Sequence, residues 1–121
     1  MIIGLILVLV SQDVHIHYFF LQKELRVEFA MGRSNAEENK LLFDFFSKHK
    51  QQIEEVFGQP LEWLRLDDKK SSRIQLSIMV DGYDNTSWEQ HFKWHLQNIE
   101  RLEKAFKPLI GEAYKALNNI S

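Results

Sequence analysis

Residues 14–31 read VHIHYFFLQKELRVEFAM, and the alternation in that stretch sets the fold. Successive side chains of a strand point to opposite faces. Val14, Ile16, Tyr18 and Phe20 therefore share one face, with His15, His17 and Phe19 on the other. Further along, Leu25, Val27, Phe29 and Met31 point inward while Glu24, Arg26, Glu28 and Ala30 point outward. A tight turn at Gln22-Lys23 makes the two runs an antiparallel hairpin, with Phe20 opposite Leu25, Tyr18 opposite Val27 and Ile16 opposite Phe29. That register keeps every apolar pair on one face, and a slip of one residue would scatter them. It also sets His17 opposite Glu28, as a cross-strand pair.

Upstream, residues 2–10 are apolar throughout, and Ile2, Ile3, Ile6, Val8 and Val10 are β-branched, which suits a strand buried on both faces. The run is too short to cross a bilayer as a helix. It also lacks the basic leader and small-residue cleavage site of a signal peptide. Ser11-Gln12-Asp13 separates it from the hairpin.

Downstream, Gly32-Arg33 ends the hairpin and Ser34-Asn35-Ala36-Glu37 reads as a capping box. A helix over about 35–57 follows, its stripe made by Leu42, Phe45, Phe46, His49, Ile53, Val56 and Phe57, with Gly58 and Pro60 as the stop. Leu61–Leu66 and Arg73–Val80 form a second hairpin around the polar loop Asp67–Ser72, with Ile74, Leu76, Ile78 and Val80 inward. Asp81–Asn85 is a turn, and Thr86-Ser87-Trp88-Glu89 caps the last helix. Its stripe is Trp88, Phe92, Leu96, Ile99, Leu102, Phe106, Leu109, Ala113 and Leu117, with a kink or break expected near Lys107 because Pro108 removes a backbone donor. The order is βββα-ββα. This describes one α+β domain over residues 1–121, a two-layer arrangement of about five antiparallel strands carrying two long helices.

Composition removes several chemistries. The 121 residues contain no cysteine, so disulfides, thiol nucleophiles and Cys-ligated metals are excluded, and a cytoplasmic location is compatible. Fifteen basic and seventeen acidic residues leave a net charge of -2, without the basic excess that phosphate-backbone binding leaves in a sequence. A nucleic-acid role would need a local patch.

Several segments resemble one bacterial family of uncharacterised domains, often found C-terminal to PD-(D/E)XK nuclease-like domains. They are Lys23-Glu24-Leu25-Arg26-Val27-Glu28, Glu37-Glu38-Asn39-Lys40 with Phe43-Asp44, Ile53-Glu54 with Phe57-Gly58, and Pro60-Leu61-Glu62-Trp63. Arg65-Leu66-Asp67-Asp68-Lys69-Lys70 with Ser72-Arg73-Ile74, then Trp88 and Arg101-Leu102-Glu103-Lys104-Ala105-Phe106, complete the pattern. The resemblance implies an origin near restriction, defence or mobile-element genes, and carries no activity to named residues. The chain departs from the common arrangement in lacking a nuclease-like front domain, as a stand-alone product of a mobile gene cassette would.

No catalytic constellation stands out. The one Glu-x-Lys, Glu38-Asn39-Lys40, falls in the first turn of a helix, where an acid complements the macrodipole, and nuclease activity is rejected. His91 and His95 are spaced i, i+4 like a zinc pair, but no third ligand is evident nearby in sequence. His15 and His17 share a strand face and could complete a site, but His17 is assigned to Glu28, so no metal and no cofactor are expected. The ligand-binding candidates are Arg26, Trp63, Arg65 and Arg73, because arginines beside an aromatic can clamp phosphate, carboxylate or a stacked base. Ion pairing with Glu24, Glu28 and Glu62 is the competing structural account. Two functions follow. One is a non-enzymatic binding or assembly module, a homodimer through the apolar N-terminal strand or a binder of another protein, without a membrane. The other is a nucleic-acid or nucleotide-binding accessory that uses the Arg/Trp surface.

Overall fold

The computed structural model describes the backbone of residues 2–11, 14–21, 24–79 and 88–120, and the side chains of Ile16 and of residues 24–79 and 89–118. The Gln22-Lys23 turn, Val80, the Asp81–Asn85 turn and the Thr86-Ser87 cap lie outside the described residues.

Three strands come first, β1 (Ile2–Ser11), β2 (Val14–Leu21) and β3 (Glu24–Met31). Helices α1 (Ala36–Lys48) and α2 (Lys50–Phe57), strands β4 (Glu62–Leu64) and β5 (Ser72–Met79), and helix α3 (Trp88–Ile120) complete the chain. The strands make one antiparallel sheet in the spatial order β1-β2-β3-β5-β4. The β2–β3 register is the one the alternation requires, with Ile16 opposite Phe29, Tyr18 opposite Val27 and His17 opposite Glu28.

Leu25, Val27, Phe29 and Met31 are fully buried on the helix side of β3, where burial of apolar area is the main favourable term. Phe29 stacks on Phe106 of α3 with centroids 4.0 Å apart, and meets Phe46 of α1 edge-on at 5.3 Å. Phe46 and Phe106 close the triangle at 5.4 Å. These three rings join the sheet to both helical segments.

The structure corrects the sequence reading in four places. First, the helical region after β3 is two helices, because the backbone at His49 leaves helical geometry (φ -106°, ψ 17°) and its N–H bonds back to Phe46 and Ser47. The break re-aims α2 so that Ile53 and Phe57 are buried while Val56 is exposed. Second, Asn35 rather than Ser34 caps α1, its side chain accepting from the Glu38 N–H at 3.2 Å. The expected stop does form, since Gly58 adopts φ 102° and its N–H reaches the Glu54 carbonyl.

Third, the break expected near Lys107 does not occur, since α3 runs as one helix through Pro108. Lys104, whose carbonyl loses its donor, and Pro108 both lie on the exposed side, where water can take the place of the missing bond. Fourth, the buried stripe of α3 holds from Ile99 onward but not before. Phe92 and Leu96 are 47% and 51% exposed, and His91, His95 and Asn98 are buried instead. Counting back from Leu102 in turns of about 3.6 residues lands on His95 and His91. A continuous helix anchored by its C-terminal stripe carries those positions inward whatever residues occupy them.

Candidate functional site

Among the described residues, a densely bonded site lies where the β4–β5 connection meets α1. Lys40, on the second turn of α1, reaches into that connection. Its Nζ donates to the carbonyls of Arg65 at 2.6 Å, Leu66 at 2.8 Å and Ser71 at 2.8 Å, and to the Ser72 hydroxyl at 3.0 Å. Burial holds the Lys40 pKa below the ordinary lysine value, with Arg65 adding to the lowering while Asp67 and Asp68 oppose it. Asn39, fully buried, accepts from the Arg33 N–H and donates to the carbonyls of Arg33 and Lys70. The Asn39-Lys40 pair thus ties two loops to one helix.

Arg65 closes the same connection from outside. Its Nε and Nη2 reach the two carboxylate oxygens of Asp44 at 2.9 and 3.0 Å, and its Nη1 bonds Asp67. These bonds raise the guanidinium pKa further. Glu54 of α2 completes the clasp, accepting from the Leu61 N–H at 2.7 Å and from the Trp63 indole N–H at 3.1 Å. The geometry binds protein to protein and presents Asp67, Asp68, Lys69 and Lys70 on a firmly held turn.

The other face of the sheet carries Glu28, only 5% exposed. Arg26 Nε lies 3.6 Å and Arg73 Nε 3.8 Å from its Oε2. The register places His17, Glu28, Gln75 and Glu62 in one row across four strands, with Leu7 of β1 extending it.

The four candidate ligand residues therefore separate. Arg26 and Arg73 flank Glu28 on the face away from the helices. Trp63 sits opposite Ile74, touches Phe43 edge-on and packs against the core on the helix side. Arg65 belongs to the clasp with Asp44. Sequence reasoning passed over Asn39 and Lys40 because it read Glu38-Asn39-Lys40 only as an opening helical turn whose acid complements the macrodipole. A usable signal was present, since an Asn inside a helix and a Lys near its positive end both run against local preference.

A family model for a domain of unknown function, DUF4268, matches residues 10–110. The chain belongs to the DUF4268 family. No curated protein and no solved structure matches it. Asn39, Lys40, Asp44, Glu54, Trp63, Arg65 and Ser72, all within the segments that carried the sequence resemblance, are also residues that make the clasp. Most of β1 precedes the matched residues.

His91 and His95 are buried on α3, and among the described residues no group of three His, Cys, Asp or Glu side chains gathers that could hold a metal. No helix of the described residues is long and apolar enough to cross a membrane.

Proposed function

We propose that this DUF4268 domain is a non-enzymatic assembly module of bacterial mobile-element or defence context, acting as a homodimer through its N-terminal strand. The observation that carries the reading is the position of β1 at the end of the strand order. Its sequence IIGLILVLVS has neither a charge nor a proline, the residues with which exposed edges ordinarily resist pairing. The opposite edge, β4, is only three residues long and carries exposed Glu62, so it is a poor template.

A second copy is the economical occupant. Antiparallel pairing of β1 with itself across a two-fold axis satisfies main-chain donors and acceptors on both strands and opposes no like charges. Between Gly4 and Leu9 the pairing with β2 is regular, and its irregularities fall at the two ends, which leaves a straight central stretch for a partner.

Light scattering at micromolar concentration tests the reading. A mass of twice 14.4 kDa is expected, and a monomer overturns it. Leu7→Lys, at the register position in line with His17 and Glu28, should give a folded monomer. Nucleic-acid or nucleotide binding has less behind it, because the arginines lie beside carboxylates and Trp63 is on the other side of the sheet. Salt-sensitive binding of labelled DNA or RNA, lost in Arg26→Ala and Arg73→Ala, would instead favour that alternative.

A further inference from the structure

The cage around Lys40 has the composition of a cation site. Three backbone carbonyls, from Arg65, Leu66 and Ser71, and the Ser72 hydroxyl surround Nζ at 2.6 to 3.0 Å. An ammonium has three donors, so four oxygens exceed what hydrogen bonding requires. The convergence of these oxygens has supports other than Lys40. Ser72 Oγ donates to the Arg65 carbonyl at 2.8 Å, and the Lys69 N–H bonds the Leu66 carbonyl at 2.8 Å. Asn39 holds the Lys70 carbonyl, and the Arg65 side chain is fixed on Asp44. Leu66 is kept at φ 57°, a left-handed conformation that a leucine adopts rarely and only where its surroundings impose it.

The ligand chemistry selects the class of ion. All four oxygens are neutral, whereas calcium and magnesium sites draw on carboxylates. Carbonyl oxygens arranged around a point are the ligands that replace the hydration shell of potassium. Asp67 and Asp68 act on the site electrostatically, but neither is among the four oxygens that bond Nζ.

We propose that the cage is a monovalent-cation site whose resident ion is the tethered ammonium of Lys40. Removing the side chain opens that site to free potassium or ammonium. In the native chain the covalent tether makes occupancy independent of the surrounding salt, which keeps the Asp67–Lys70 turn in one position.

Thermal unfolding of Lys40→Ala in potassium, ammonium and choline chlorides at equal ionic strength tests the proposal. Potassium and ammonium should raise the midpoint saturably by several degrees over choline, with slowed amide exchange at Lys69, while the native protein shows no such difference. Lys40→Met, which fills the approach without a charge, should gain nothing from either ion. Equal midpoints for Lys40→Ala in potassium and choline overturn the proposal. So does a potassium-selective rise in the native protein, which would place the ion elsewhere, or a Lys40→Ala chain that is unfolded in every salt.

Discussion

The Trp63 indole N–H bonds Glu54 Oε2 at 3.1 Å, and the same oxygen accepts from the Leu61 N–H at 2.7 Å. The carboxylate thus fixes the chain between α2 and β4 and turns the tryptophan into a strut. Glu54→Ala should leave both donors without their acceptor and cost about 2 kcal/mol. Urea unfolding measures that loss, and a change within the error of a surface substitution would show that the clasp bears no strain.

Arg65 spans Asp44 with two parallel bonds, a geometry that lysine cannot reproduce. Arg65→Lys should speed amide exchange at Lys69, whose N–H closes the turn onto the Leu66 carbonyl, with little effect on the Phe29–Phe46–Phe106 core. Exchange rates unchanged at Lys69 would mean that Lys40 and Asn39 hold the loop unaided.

Glu28 is nearly inaccessible between Arg26 and Arg73, yet both contacts exceed hydrogen-bond length. Glu28→Gln should therefore cost about 1–2 kcal/mol, between the values of exposed and buried ion pairs. Equilibrium denaturation with an unchanged m-value is the expected outcome. No loss would show that the two arginines are satisfied by other neighbours.

The phase of α3 gives a contrast within one helix. Phe92→Gln should alter stability by no more than about 0.5 kcal/mol, as an exposed position does. Leu102→Ala, at a fully buried position, should cost about 2–5 kcal/mol. A comparable loss at Phe92 would place that side chain in the core and refute the rotated stripe.

The sequence by itself determined whatever repeats over a few residues. The two-residue alternation in 14–31 specified the β2–β3 register, because a single shift would move every apolar side chain to the wrong face. Gly58 marked the end of α2 for an equally local reason, since its left-handed conformation is cheap only for glycine. Tertiary structure decided the rest. His91 and His95 are buried, and Phe92 is not, because the helix is continuous and its phase is set farther along by Leu102 and Phe106. Arg26, Trp63, Arg65 and Arg73 could be grouped by residue type but not by place, since the strand order and the fold of the β4–β5 connection divide them between two sides of the sheet. Lys40 lies some 25 to 32 residues from the oxygens it holds, a separation that no local pattern encodes.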